Sequence, residues 1–356
     1  MNRLTLLSLL AFLAACDNST GSNGVDYTPL LATLTNGVAV PAIAAFTTDA
    51  DALVPALAAF ESTPTEESLS AAQTAWRAAR ASWRKLDTIS FGPVADDGIA
   101  ARIDATPADG PGIDATVNGT QMLDATYVGA SGGKQKGFLG IEHLLFSASG
   151  ADAALGSLTG DGAPARRRTF ARAMAEEVAS SAHQLKDAWD PAKGGYATQL
   201  LTAGAGSTVF THGIDAISQY AGKVAYALEL VVGVRMGEPL GRKSTGAPDP
   251  SQDPTPASDS ATADMKATLQ GVHALWSNPG FASYVSASVI RSEAETQQND
   301  CIAQVSAIPA PFATALTAAA APVQVAYNSC KMWKKTWDMS VTQALGVIAS
   351  FDGDGD

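Results

Sequence analysis

The chain is short of the residues that most catalytic and nucleic-acid-binding sites need. Its 356 residues include four histidines and three cysteines, and its 23 lysines and arginines are outnumbered by 35 aspartates and glutamates, for a formal net charge of −12. Nucleic-acid phosphates require a basic surface, so this charge argues against nucleic-acid binding. An acidic balance attracts cations, but it is also common for solubility alone.

Motifs for peptide-bond hydrolysis are also missing from the sequence. His143, His183, His212 and His273 are scattered and form no HExxH-type pair, and there is no GxSxG nucleophile elbow. Proteolysis requires a metal-bound water or an activated nucleophile. The residues therefore give no support to a peptidase.

Strand-forming runs are scarce and alanine is abundant, which predicts an all-α fold. The clearest predicted helix carries apolar residues at alternating spacings of three and four: Leu69, Ala72, Trp76, Ala79, Trp83 and Leu86. This spacing places them on one face, as in a helix packed into a bundle. Arg77, Arg80 and Arg84 lie beside that face. They are either a solvated flank or groups that bind an anion or pair with Glu142.

The start of the chain reads as an export signal. Residues 1–15 combine a short basic start with an apolar run at 4–13 that is too short to span a bilayer. The sequence LAAC at 13–16 is typical of a bacterial lipobox, in which Cys16 is lipidated and anchors the protein to a membrane. The alternative is an ordinary secretory signal with a chance cysteine. Residues 16–26 are rich in Ser, Gly and Asn and are predicted to form a flexible tether.

Subtracting Cys16 leaves Cys301 and Cys330. An exported chain meets an oxidising compartment, which favours a disulfide between them over two buried free thiols.

Composition along the chain predicts two domains. Residues 27–155 are assigned to an N-terminal helical bundle that contains a long irregular loop at 96–133, rich in Gly and Asp. Residues 160–356 are assigned to a C-terminal helical bundle with a surface loop at 239–259. The aspartates of the first loop lack the spacing of a calcium-binding loop.

The segment KGFLGIEHLLFS at 136–147 places one acid in an apolar helix. Ile141, Leu144 and Leu145 share a face, and Glu142 stands beside it. A carboxylate beside such a face is costly to bury unless something pairs with it. The simplest interpretation is a surface glutamate at the edge of a packed helix.

This segment resembles the signature G-x-H-x-x-E of the imelysin-like family, also called peptidase family M75. Gly137 and Glu142 match, but Leu139 stands where the family has histidine. Two further segments resemble the family: AWRAARASWRKLDTISFGPV at 75–94 and SVTQALGVIASFDGDGD at 340–356. A histidine and a glutamate three apart on a helix could hold one metal ion together, whereas leucine cannot coordinate metal.

The resemblance implies an all-α protein of two packed helical bundles, with the signature helix near their junction. Family members are associated with iron-regulated uptake. Together with the lipid anchor predicted at Cys16, this implies a lipid-anchored cell-envelope protein that binds iron or an iron-bearing compound. Envelope iron-transport components are the implied partners, besides the membrane reached through lipid on Cys16. The alternatives are a non-catalytic interaction scaffold with a degenerate site and, disfavoured by Leu139, a peptidase.

The resemblance also directs attention to a candidate binding site around Glu142, which is the only metal-ligand candidate. We expect Glu142 to face a pocket, Arg80 or Arg84 to pair with it, and Trp76, Trp83 and Phe91 to wall it. Any metal affinity should be weaker than in relatives that keep the histidine.

Overall fold

The computed structural model describes residues 24–244, 246–277, 279–317 and 320–347. The predicted signal peptide, the lipidation site Cys16 and the tail beyond residue 347 lie outside these residues. The described residues contain helices and no strand, which confirms the all-α prediction. The first α-helices are α1 (Thr28–Ala32), α2 (Val40–Ser62), α3 (Glu66–Lys85), α4 (Pro93–Asp96), α5 (Ile99–Ile103), α6 (Gly110–Val117), α7 (Ala125–Ala130), α8 (Gly137–Leu145) and α9 (Ala151–Leu158). The remaining α-helices are α10 (Ala163–Trp189), α11 (Tyr196–Leu201), α12 (Gly213–Glu229), α13 (Ala261–Trp276), α14 (Ser288–Ser306), α15 (Phe312–Thr317), α16 (Ala321–Thr336) and α17 (Thr342–Ala344).

Helix α3 forms as its apolar pattern predicts, with Trp76 and Trp83 buried. Its first turn is closed by a capping box. Thr65 is the N-cap residue, and its side chain and that of Ser68 each accept a hydrogen bond from the other's backbone N–H. These bonds satisfy backbone groups that the first turn leaves free, so the helix begins at Glu66.

The helical run Thr28–Ser62, which contains α1 and α2, has the length and hydropathy of a membrane-spanning helix. Core helices of globular proteins meet the same criterion. In the structure α2 packs along α3 and α10, and Phe46, Leu53 and Phe60 on it are buried.

The prediction of one long irregular loop at 96–133 was wrong. Short helices α5, α6 and α7 occupy much of this stretch. Asp109 caps α6 by accepting from the backbone N–H of Gly112, and Asp124 caps α7 by accepting from that of Tyr127. Asp109 and Asp124, predicted to be loop residues, are therefore helix N-caps. The helices that follow them are too short for a helical spacing of apolar residues to be recognised in the sequence.

Packing runs across the predicted boundary between the bundles at 155–160. Helix α10 follows that boundary in sequence, yet it packs along α2 and α8. Helix α3 in turn contacts α13 from the second half of the chain. The α3–α13 contact positions the candidate site.

The second half of the chain is built from α12, α13, α14 and α16. Helices α14 and α16 lie side by side, and Cys301 on the first is joined to Cys330 on the second by a disulfide. Trp333 and Trp337 are buried beside them.

The loop predicted at 239–259 lies only partly on the surface. Asp253, Thr255 and Ser258 are buried. This correction matters for function, because the buried end of the loop lies against Glu142.

Candidate functional site

Helix α8 carries the candidate site, and glycines fix its position. Gly137 has a φ of 68°, and a side chain there would collide with the carbonyl of Ile103. A Cβ at Gly140 would lie 3.0 Å from the sulfur of Met174 on α10. The helix is therefore held close to its neighbours, and its position depends on residues without side chains.

Glu142 is buried, with 4 % of its surface exposed. Its Oε1 accepts two hydrogen bonds from Ser258, one from the backbone N–H at 3.0 Å and one from the hydroxyl at 2.8 Å. Its Oε2 accepts no hydrogen bond from the described residues. One oxygen is thus held by the protein, and the other has no hydrogen-bond partner among the described residues.

Leu139 lies three residues before Glu142 and therefore on the same side of α8. It is 6 % exposed. At this position the family signature has a histidine, so an apolar side chain stands beside Glu142 where the signature would supply a nitrogen ligand.

Arg80 is almost fully buried beside the site. Its Nε donates to both carboxylate oxygens of Asp264, at 3.1 and 2.9 Å, and its Nη1 donates to Asp104 at 3.0 Å. Arg84 is ion-paired with the same two aspartates. Neither arginine is hydrogen-bonded or ion-paired to Glu142, so the expected pairing is replaced by contacts to aspartates.

The ion pairs continue from Arg84 to Asp87. Arg235 donates to Asp87 Oδ2 at 2.8 Å, and Thr268 donates to the same oxygen at 2.6 Å. Burial alone would raise the pKa of Asp87, but the charges of Arg235 and Arg84 bring the pKa below its usual value. Asp87 is therefore ionised at neutral pH.

These contacts form a buried group of charges, here called the Arg–Asp network: Arg80, Arg84, Arg235, Asp87, Asp104 and Asp264. Three positive charges balance three negative charges, so Glu142 at its edge is an acid in excess. Burial raises the pKa of Glu142, and the charge of Arg80 and the hydrogen bonds of Ser258 offset only part of that rise. The raised pKa and the charge count both indicate that a proton or another positive group would stabilise this carboxyl.

Arg77 stands at the rim of the site, over the ring of Phe146 at 4.8 Å. Its Nη2 donates to the carbonyl of Ser258 at 3.3 Å. Burial lowers its pKa, and the charges of Asp259 and Glu142 oppose that shift. Arg77 thus helps to hold the same residue that binds Glu142.

The three aromatic residues expected to wall a pocket lie in the apolar core. Trp76 packs against Phe138 and Phe146, and its indole N–H donates to the carbonyl of Phe138 at 3.0 Å. Trp83 packs against Phe46. Phe91 lies in a different aromatic cluster with Trp189, Tyr196 and Tyr220. Trp76 is the one that touches the site, through its contact with Arg80 at 5.3 Å.

The loop aspartates and His143 do not converge on Glu142. His143 Nε2 lies 3.1 Å from Asp114, which is also ion-paired with Arg167. Asp109 caps a helix and Asp104 belongs to the Arg–Asp network. Within the part of the chain that the structure describes, no group of three or more His, Cys, Asp or Glu residues could hold a metal ion.

Several residues of the site were not foreseen from the sequence. Ser258 had no signal in its local sequence, because it comes from a loop 116 residues away from Glu142. Asp264 and Thr268 did carry a signal, because they are polar residues at i and i+4 on the otherwise apolar buried face of α13. Such a pair indicates a polar partner from another helix.

The fold and the site define an all-α protein with a buried carboxyl at the contact between its N-terminal and C-terminal helices. The imelysin model of peptidase family M75 matches residues 39–330, and the chain belongs to this family. No curated protein is significantly similar to it.

Two solved structures share the fold. One, from Parabacteroides distasonis ATCC 8503, is described as a "putative iron-regulated protein A precursor". It matches with a TM-score of 0.75 and 16 % sequence identity, and the match covers 89 % of this chain and 94 % of the other chain. The other is an imelysin-like protein from Psychrobacter arcticum 273-4, with a TM-score of 0.76 and 16 % identity, over 91 % of this chain and 96 % of its own. At this identity the likeness concerns the fold.

Proposed function

We propose that this protein is a lipid-anchored cell-envelope protein that binds a positively charged ligand in iron uptake and catalyses no reaction. The observation that carries the proposal is the acid itself: Glu142 is buried beside a balanced Arg–Asp network, and its Oε2 has no hydrogen-bond partner among the described residues. A buried carboxylate that nearby arginines compensate only in part is unfavourable, so binding a cation there would be favourable.

The donor set determines which form of iron would suit the site. Glu142 offers a carboxylate, while Asp104 and Asp264 are occupied by arginines and Leu139 cannot coordinate. One carboxylate does not fit tight binding of a bare ion, which takes several protein ligands. The site suits an iron-bearing compound that brings its own ligands, or a weakly held ion as cargo.

The envelope location is supported by the sequence of residues 1–16 and by the iron-regulated relative. Cys16 would carry the lipid, and the tether at 16–26 would let the folded part reach a transport component in the envelope.

Calorimetric titration with Fe(II) and Zn(II) tests the role of Glu142. We expect weak, saturable heats with the wild-type protein and none with Glu142→Ala, because the variant lacks the excess carboxyl. Glu177→Gln is the matched control: this carboxylate is partly buried but lies beside Lys136 and Arg102, away from the site. Equal binding by wild-type protein and a folded Glu142→Ala variant would contradict the proposal.

The second candidate is a non-catalytic interaction scaffold with a degenerate site. It is favoured by Leu139, which removes a ligand from the family signature, and by the two hydrogen bonds that already occupy Oε1. The scaffold hypothesis predicts no heat of binding with Fe(II) or Zn(II) for the wild type, Glu142→Ala or Glu177→Gln.

A further inference from the structure

One short segment supplies the groups that hold the Glu142 carboxylate. Residues 253–260, here called the latch segment, run from the end of the turn at Pro250–Gln252 to the start of α13. Within the described residues, the hydrogen bonds to the Glu142 carboxylate come from one residue of this segment, Ser258. A cation that uses both carboxylate oxygens needs the lone pairs of Oε1 that Ser258 occupies.

The backbone of the latch segment is strained next to that contact. Asp259 has a φ of 52°, in the left-handed region that residues with a side chain rarely adopt. Its carboxylate accepts a hydrogen bond from the backbone N–H of Phe312 at 2.8 Å, which holds this conformation. Strained residues of this kind are concentrated at ligand clamps and switches.

The closed segment also leaves polar groups poorly satisfied. The hydroxyls of Thr255 and Ser260 are buried and have no hydrogen-bond partner among the described residues. Burial raises the pKa of Asp253, the backbone N–H of Thr255 offsets part of the rise, and the charges of Asp259 and Asp264 add to it. Buried groups without partners favour any conformation that exposes them.

The neighbouring helices offer a contrast. Helix α8 is fixed by close glycine contacts, and α13 is joined to α3 through Asp264 and Arg80. Among the elements around Glu142, the latch segment is therefore the one without such close backbone packing or a buried ion pair, and we expect it to move before α8 or α13.

We propose that the latch segment closes the Glu142 site in the absence of ligand, and that a ligand binds by displacing Ser258 from Oε1. The displacement step rests on the proposed function, whereas the closed latch can be tested without any ligand.

Hydrogen exchange of the full chain, followed by mass spectrometry, tests the latch. Glu142→Ala removes both hydrogen bonds, so we expect the amides of the latch segment to exchange roughly tenfold faster, and Ser258→Ala to give a smaller increase. Ser251→Ala is the matched control, because its hydroxyl binds Asp249 in the same loop at 2.7 Å. In this variant the amides of the latch segment should exchange at the wild-type rate. Unchanged exchange in Glu142→Ala, or an increase spread equally over α8 and α13, would overturn the latch.

Adding Fe(II) then separates the two proposals. Displacement of Ser258 predicts faster exchange of the latch segment in the wild type and no effect in Glu142→Ala; slower exchange would overturn displacement. Absence of any Fe(II) heat, together with faster exchange in the ligand-free variants, would leave the closed latch supported and remove the proposed function.

Discussion

The guanidinium of Arg80 and the carboxylate of Asp264 pair through several contacts, with Nη2 2.7 Å and Nε 2.9 Å from the same oxygen. The two residues lie 184 positions apart and join α3 to α13. Both are almost completely buried. Removing one member of a buried pair leaves the other as an uncompensated charge, so the pair is sensitive to single substitutions.

Arg80→Ala should therefore reduce the free energy of unfolding by about 3–5 kcal/mol. Urea denaturation followed by circular dichroism would measure it. The matched control is Arg172→Ala, whose pair with Glu61 is about one-quarter exposed; its loss should be about 1 kcal/mol or less. Similar losses in the two variants would contradict the importance assigned to the buried network.

Stability should depend on pH through Glu142. Burial raises its pKa, with Arg80 and Ser258 opposing, so the folded chain holds this proton more tightly than the unfolded chain does. The resulting stability is present below the unfolded pKa and is lost as the pH rises through the folded pKa. Glutamine does not ionise, so Glu142→Gln should become more stable relative to the wild type as the pH rises from about 4 to about 8. Urea denaturation at several pH values would test this, and a constant difference between the two proteins would contradict it.

The disulfide between α14 and α16 should stabilise the C-terminal helices. Replacing both Cys301 and Cys330 by alanine should cost about 2–4 kcal/mol, because the unfolded chain regains freedom across a separation of 29 residues. Reductant should destabilise the wild type by a similar amount in urea denaturation and leave the double variant unchanged. A reductant effect on the double variant would show that the loss has another origin.

The protein should not cleave peptide bonds. The family name refers to a peptidase, but Leu139 cannot bind metal, and Glu142 is held by Ser258. Incubation with denatured protein substrates should leave them intact with or without chelator. Cleavage that a chelator abolishes would contradict this expectation and restore the peptidase interpretation.

Local pattern was enough to predict much of the fold. The spacing of Trp76 and Trp83 predicted α3, and both residues are buried in it. The family signature singled out Glu142, and the physical argument that a carboxylate there needs a partner agrees with its contact to Ser258. The helix pattern and the family signature depend on residues close together in sequence, whereas the partner of Glu142 does not.

What the sequence could not give was the identity of long-range polar partners. Arg80 was expected near Glu142, but Asp264 and Asp104 are better placed, because carboxylates on two other segments meet its guanidinium. Polar contacts of this kind depend on how elements pack, which no local periodicity encodes. The same holds for Ser258, whose loop looked like solvent-exposed sequence.

Restoring the signature histidine tests the central claim most directly. In Leu139→His the new imidazole would share a face of α8 with Glu142, so the two could hold one ion. Calorimetry with Fe(II) should show at least about a tenfold gain in affinity over the wild type. The gain should vanish in Leu139→His combined with Glu142→Ala. No gain in a folded Leu139→His variant, or a gain that survives removal of Glu142, would contradict the assignment of this carboxyl as the ligand-binding group.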